Sequence, residues 1–171
     1  MGQSVRSPRG PRCIALVGPF QSGKTTLLEA ILARTDAIRR AGSVETGTSV
    51  GDASPEARRH RMGVGLTAAA TSFMGDSYTF IDCPGSVEFA HDMRAAIPAV
   101  DAAVVVCEAD EKKLPQLQII LRELEDLGIP RFLFSTRSTA PTSASARRLR
   151  HCSRRRAYPW CCGRFRSGRA N

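Results

Sequence analysis

The sequence predicts an α/β domain in which a mostly parallel sheet lies between two layers of helices. Short apolar runs alternate along the chain with stretches of helical periodicity, as in folds with parallel sheets. Residues 102–107 form a continuous apolar run, which is typical of a strand buried on both faces. The length of 171 residues is sufficient for one domain with a hydrophobic core.

The elements follow one another in a regular order. We expect strands at residues 13–17, 64–73, 77–82, 102–107 and 129–134, and helices at residues 24–39, 86–97 and 114–127. Gly128 ends the last helix, whose apolar residues recur at helical spacing. Residues 41–61 lack periodicity and contain glycines and a proline, which predicts a long loop. A loop of this length inside a compact domain is usually functional.

Residues 18–25 match the phosphate-binding pattern G-x-x-x-x-G-K-[ST]. They follow the first predicted strand and open the first predicted helix, so that the glycines can wrap a phosphate at a helix N-terminus. Lys24 would contact the β- and γ-phosphates, and the Thr25 hydroxyl would bind Mg²⁺. The alternative is a glycine turn before a helix that only packs. The order of strand, loop and helix favours a nucleoside triphosphate site.

A second motif, Asp-Cys-Pro-Gly at residues 82–85, follows the strand predicted at 77–82. In the D-x-x-G pattern the acid holds Mg²⁺, commonly through water, and the glycine N–H contacts the γ-phosphate. By itself this motif is equally consistent with a simple turn. Together with the first motif it predicts a GTPase-type site.

The basic charge is confined to one end of the chain. Residues 135–171 hold ten Arg and no Asp, Glu or Lys, whereas residues 1–134 hold fifteen Lys and Arg against sixteen Asp and Glu, a net charge of −1. The six cysteines show no paired metal-ligand spacing, and nothing in their pattern indicates an oxidising compartment. No apolar run has the length of a membrane span or signal peptide, so we expect a cytoplasmic protein without membrane contact.

Beyond the two motifs, the sequence resembles the G domain of translational GTPases, specifically the elongation factor G family. The similar segments, within roughly residues 12–134, are residues 18–26, 66–71, 82–89, 93–96, 114–117 and 130–131. The resemblance implies a three-layer P-loop GTPase domain that is incomplete at its C-terminal end, without its last strand and helix. It also implies that GTP is bound with Mg²⁺ and hydrolysed to GDP in ribosome-coupled translation, with GTP, GDP and the ribosome as partners. Residues 41–63 would be switch I, and residues from Asp82 onward switch II.

The expected site residues come from both motifs. Those that bind nucleotide are Gly18, Pro19, Phe20, Gln21, Ser22, Gly23, Lys24, Thr25, Thr26, Asp82 and Gly85. Thr25 and Asp82 are also the expected metal ligands.

The sequence departs from the family at three places. Ser86 stands where the family has the histidine that positions the attacking water, and a serine side chain is too short for that role, so no catalytic residue is assigned. Gly65 occupies the place of the switch I threonine, with Thr67 two residues further on. The guanine-reading Asn-Lys-x-Asp is absent after Phe134, which predicts weak discrimination between bases.

The missing motif has a mechanical explanation. Codon degeneracy allows the bases that encode residues 134–139 to be regrouped, one base over, as Asn-Lys-Ile-Asp. We therefore expect a disordered lead-in at residues 1–11, a GTP-binding domain at 12–134 and an out-of-frame, disordered Arg-rich tail at 135–171. We do not expect the tail to bind nucleic acid directly. Two alternatives remain at this point: a regulatory GTP-binding relative with little hydrolysis, and an RNA-binding module that uses the tail.

Overall fold

The computed structural model describes residues 12–43, 46–50, 65–86, 90–108, 110–136 and 163–164. Six strands form one sheet: β1 (Arg12–Val17), β2 (Thr67–Phe73), β3 (Asp76–Asp82), β4 (Ala102–Cys107), β5 (Arg131–Ser135) and β6 (Gly163–Arg164). The α-helices in the described ranges are α1 (Lys24–Arg34), α2 (Ala90–Ala96) and α3 (Leu114–Asp126). Short 3₁₀ helices follow α2 and precede α3, at Ile97–Ala99 and Glu111–Lys113.

The sheet has the order β2-β3-β1-β4-β5-β6, and β2 is the strand that runs antiparallel to its neighbour. This confirms the predicted α/β class with a mostly parallel sheet. Beyond β5 lies the two-residue strand β6, which pairs with Phe134 and Ser135. Because β1, β3, β4 and β5 are parallel, their carboxyl ends meet at one edge of the sheet. That edge carries the candidate site.

Side chains that alternate along the strands form a core on each face of the sheet. On one face Leu16 and Phe80 pack with Leu28 and Leu32 of α1. On the other face the core contains strand residues together with buried apolar residues of α2 and α3, among them Val17, Val105, Met93, Leu117 and Leu124. Since successive strand residues point to opposite faces, β1 contributes to both cores. The domain therefore has three layers, as expected.

Two helices are shorter than the sequence predicted. α1 ends at Arg34 rather than Arg39, because Asp36 takes a left-handed conformation (φ 57°) and the N–H of Ala37 turns back to the carbonyl of Leu32. Within the described residues the second helix is α2 (Ala90–Ala96), and Ser86 lies outside it. Its predicted end at Ile97 belongs to the following 3₁₀ helix, which contains Pro98.

Several predictions concern residues beyond the described ranges. The lead-in at 1–11, residues 51–64 of the long loop and nearly all of the tail after Thr136 lie there. Among the residues that are described, no helix is long and apolar enough to cross a membrane.

Candidate functional site

The two sequence motifs lie side by side at the carboxyl edge of the sheet. The phosphate loop, residues 18–23, connects β1 to α1, and the turn at residues 83–86 leaves β3, the parallel neighbour of β1. Ends of β4 and β5 complete the edge. In open α/β sheets this edge is the usual position of ligands, because the loops there project from adjacent strands.

The backbone of the phosphate loop leaves an uncapped helix N-terminus at the site. Gly18 has φ 152°, and a Cβ there would lie 2.0 Å from the carbonyl oxygen of Val106. Gly23, at φ 92°, is the N-cap residue and supplies no side-chain acceptor. The first helical bond runs from the N–H of Leu27 to the carbonyl of Gly23, 2.9 Å long. The preceding amides, together with the positive end of the helix dipole, can therefore bind an anion.

Lys24 supplies a buried positive charge beside the loop. Its side chain is 7% exposed, and Nζ donates to the carbonyl oxygens of Gly18 and Pro19 at 3.1 and 3.0 Å. Burial lowers the pKa of the Lys24 ammonium, although the carboxylate of Asp82 opposes this shift. A bound anion would stabilise the charged form of the Lys24 ammonium, which burial disfavours.

Asp82 and Thr25 join the two motifs directly. The Thr25 hydroxyl donates to Oδ2 of Asp82 at 2.6 Å, across 57 residues of sequence. Burial raises the pKa of Asp82, while the bond from Thr25 and the charge of Lys24 oppose the shift. The other carboxylate oxygen, Oδ1, is buried without a hydrogen-bond partner among the described residues.

This donor set suits a hard cation. Thr25 and Asp82 offer only oxygen ligands, and the unpartnered Oδ1 of Asp82 retains its capacity to accept. Within the described ranges, no three His, Cys, Asp or Glu side chains group into a metal site. Mg²⁺ fits such a site, because it is commonly held by one or two protein oxygens together with phosphates and water.

Gly85 lies directly against Lys24. A Cβ on Gly85 would approach Lys24 Nζ to 2.3 Å and the carbonyl oxygens of Pro19 and Gly18 to 2.9 and 3.0 Å. The second motif therefore closes over the first at a point where only glycine fits. The next residue, Ser86, has a buried hydroxyl without a partner among the described residues.

The other sequence-predicted positions differ in their surroundings. Ser22 is fully buried, and its hydroxyl has no partner in the described part of the chain. Phe20 is 38% exposed, and the side chain of Thr26 is also exposed. Gln21 adopts a left-handed conformation (φ 53°). Cys83 directly follows Asp82 in the second motif. Burial raises the pKa of its thiol to about 12, which makes the thiol a poor nucleophile.

The two positions that the family resemblance relates to the switch I threonine, Gly65 and Thr67, also have distinct surroundings. Gly65 is outside β2, and an added Cβ would have no described heavy atom within 4 Å. Thr67 begins β2 and is the register partner of Asp82. Opposite residues of an antiparallel pair point to the same face, so Thr67 is on the Asp82 side of the sheet.

Three residues make contacts at the site that the sequence does not predict. Gln116 of α3 donates to the carbonyl oxygen of Gly85 at 2.6 Å. Lys113 donates to the carbonyl of Gln21 at 3.3 Å and pairs with Glu108 at 2.8 Å. The start of α3 therefore contacts both phosphate-binding segments.

The third of these residues is Thr136, which directly follows β5. The Thr136 hydroxyl donates to the carbonyl of Ser22 at 2.8 Å, and the Thr136 N–H donates to the carbonyl of Cys107 at 3.0 Å. Thr136 thus braces the phosphate loop against β4, although it lies two residues beyond the boundary predicted at Phe134. No motif in the sequence signals this contact, because it depends on the pairing of β4 with β5.

Comparison with known proteins gives a consistent assignment. The family model of the elongation factor Tu GTP-binding domain matches residues 10–151. An elongation factor G-like protein of Synechocystis sp. is 40% identical over 123 residues, which cover 72% of this chain and 18% of the relative. An elongation factor G-like protein of Mycobacterium tuberculosis is 34% identical over 134 residues, 78% of this chain and 19% of the relative. The chain thus spans about a fifth of the length of these curated relatives.

Solved structures show the same relationship. A protein from Thermus thermophilus superposes with a TM-score of 0.76 at 37% identity, over 82% of this chain and 22% of that one. A bacterial selenocysteine-specific elongation factor shares the fold, with a TM-score of 0.65 at 18% identity, over 91% of this chain and 26% of the other.

Replacement of Gly85 by alanine should destabilise the domain by about 1–3 kcal/mol, because the new Cβ would meet two backbone carbonyls and the Lys24 ammonium. Urea unfolding of Gly85→Ala measures the loss. Gly65→Ala is the matched control, since its Cβ meets no described atom, and its free energy of unfolding should stay within about 0.5 kcal/mol of wild type. Equal stability of the two variants would contradict the close approach of Gly85 to Lys24.

The Asp82→Asn variant should be more stable than wild type by about 1 kcal/mol near pH 7 in nucleotide-free protein with EDTA. The folded-state pKa of Asp82 is raised, so folding stability is lost as pH rises through that pKa and the carboxylate becomes charged in a buried place. The difference should disappear as pH falls to the ordinary range of aspartate. Thermal unfolding as a function of pH measures it, and a wild type that is the more stable protein at pH 7 would contradict the raised pKa.

Proposed function

Because the chain belongs to the elongation factor Tu GTP-binding domain family and is a GTP-binding domain of translational GTPase type, we propose that it binds GTP with Mg²⁺ and hydrolyses it to GDP in ribosome-coupled translation. The observation that carries the proposal is the hydrogen bond between Thr25 and Asp82, beside the buried ammonium of Lys24. Ribosome coupling, and the choice of an elongation factor G-like role, draw support from the named relatives.

The phosphates would be bound by the phosphate loop and Lys24. The uncapped amides at the start of α1 suit the β-phosphate, and the Lys24 ammonium offsets negative charge on the β- and γ-phosphates. Gly85 lies next to Lys24, so its backbone would adjoin the γ-phosphate and distinguish GTP from GDP. The expected consequence is a turn whose position depends on the nucleotide.

Thr25 and Asp82 would hold Mg²⁺. Their oxygens are 2.6 Å apart, and Oδ1 of Asp82 has no partner among the described residues. When bound, Mg²⁺ offsets the charge that develops on the phosphate oxygens. The fold holds the Thr25 hydroxyl against the Asp82 carboxylate at the end of β3.

We expect GTP hydrolysis to be slow in this chain because of Ser86. The same residue favours the second candidate, a regulatory GTP-binding relative with little hydrolysis. Phosphoryl transfer depends on a water positioned in line with the γ-phosphate. Ser86 follows Gly85 at the position from which the family histidine acts, and its buried hydroxyl lacks a described partner that would orient it. A serine hydroxyl stays close to its own backbone and cannot span the distance that an imidazole spans.

Nucleotide binding should depend on Lys24. The Lys24→Ala variant should bind GTP about ten- to a hundredfold more weakly in the presence of Mg²⁺, because charge-assisted hydrogen bonds to phosphate are lost. Titration with a fluorescent GTP analogue measures the dissociation constant. Lys112→Ala is the matched control, since Lys112 is exposed. Equal affinities for wild type and Lys24→Ala would refute the proposed phosphate site.

A histidine at position 86 should accelerate hydrolysis. The Ser86→His variant is expected to hydrolyse bound GTP about tenfold faster or more in single turnover, with and without ribosomes, while GTP affinity stays near wild type. The control is Ser72→His, at an exposed position on the edge strand β2. If wild type already matches the Ser86→His rate, another residue positions the water and the assigned defect is wrong.

A further inference from the structure

Glu29 is a buried carboxylate that takes no part in the phosphate site. It lies on α1, five residues after Lys24, and is 2% exposed. Its Oε2 accepts the backbone N–H of Gly42 at 2.8 Å, and its Oε1 accepts the backbone N–H of Val50 at 2.5 Å. Among the described residues, no cationic side chain forms an ion pair with it. A carboxylate is tolerated in such a place only when hydrogen bonds replace its hydration, and here backbone amides do so.

The two amides belong to one compact stretch, residues 42–43 and 46–50, here called the docked segment. The N–H of Thr48 donates to the carbonyl of Ser43 at 3.1 Å, and the N–H of Ser43 donates to the Thr48 hydroxyl at 3.0 Å. Ser49 is buried. These bonds bring the two ends of the segment together, so that Gly42 and Val50 both reach the same side chain.

A carboxylate is the side chain that this arrangement requires. Both of its oxygens accept, and each faces one N–H donor. A glutamine of the same shape would offer one acceptor and one NH₂ group, and the NH₂ group would face a donor. The exchange would leave a backbone amide unsatisfied in a buried place.

The docked segment occupies the beginning of the region that corresponds to switch I. α1, which carries Glu29, also presents Lys24 and Thr25 to the phosphate site. We propose that Glu29 is a positioning residue that fixes the docked segment to α1, so that this segment stays on α1 when nucleotide binds and when it leaves. The link to nucleotide rests on the proposed function; the attachment to α1 does not.

Trypsin cleavage after Arg40 reports the attachment. A protease binds its substrate in extended form on both sides of the cut bond, so cleavage there requires Gly42 to leave Glu29. Arg40 is exposed. Arg122 is the reference site, because it is exposed on α3, a helix that packs on the core. The measured quantity is the ratio of the cleavage rate after Arg40 to that after Arg122, followed by mass spectrometry on the full chain. Normalisation to Arg122 separates local release from global unfolding.

The Glu29→Gln variant should raise this ratio about tenfold over wild type. Asp36→Asn is the matched control, because it makes the same change of carboxylate to amide at an exposed residue just after α1, and its ratio should equal that of wild type. Leu28→Ala, which weakens the core from the same helix, should speed both cleavages together. An unchanged ratio in Glu29→Gln, or an equal rise in Asp36→Asn, would overturn the proposal.

Nucleotide provides the second arm of the test. In wild type, the ratio of cleavage after Arg40 to cleavage after Arg122 should differ less than twofold between protein with GTP and Mg²⁺, protein with GDP and nucleotide-free protein. A larger difference would show that the docked segment leaves α1 as the nucleotide changes, and it would overturn the proposed attachment. If the fluorescent GTP analogue does not bind wild type, the nucleotide function fails, while the comparison of Glu29→Gln with Asp36→Asn still decides whether Glu29 holds the segment.

Discussion

The rest of the site depends on the hydrogen bond between Thr25 and Asp82. It forms because β1 and β3 are parallel neighbours, with Leu16 in register with Asp82, so that the loop after one strand and the end of the other arrive at one place. Without this pairing, a phosphate loop and a D-x-x-G turn 57 residues apart in sequence would be unrelated features. Sheet topology therefore turns two local motifs into one ligand site.

The electrostatics of this edge are suited to a ligand rather than to the empty fold. Burial disfavours the charged forms of both Lys24 and Asp82, and each partly relieves the other. One carboxylate oxygen and the Ser22 hydroxyl are left without described partners. Such groups cost folding stability in isolation and gain favourable partners when phosphate and a cation bind. Functional sites are often places where burial and a neighbouring charge shift pKa values, as they do for Lys24 and Asp82.

The sequence was sufficient for the features that rest on local pattern. The apolar run of β4 and the glycine-rich loop before α1 are short-range signals, and both were located correctly. The end of α1 is not predicted correctly, because no Gly or Pro precedes Asp36 to mark the turn there. The sequence does not reveal the contacts of Glu29, Gln116 and Thr136, since their partners lie 13 to 114 residues away. Contacts of this range depend on how strands and helices are arranged, which no periodicity encodes.

Three residues hold the site and the docked segment beside it in place, and none of them belongs to a phosphate motif. Thr136 holds the carbonyl of Ser22 from the end of β5, and Gln116 holds the carbonyl of Gly85 from α3. Glu29 holds the docked segment from α1. Each support ties a segment at or beside the site to an element packed in the core. A nucleotide-dependent change in the Asp82–Ser86 turn should therefore occur against a fixed sheet and a fixed docked segment.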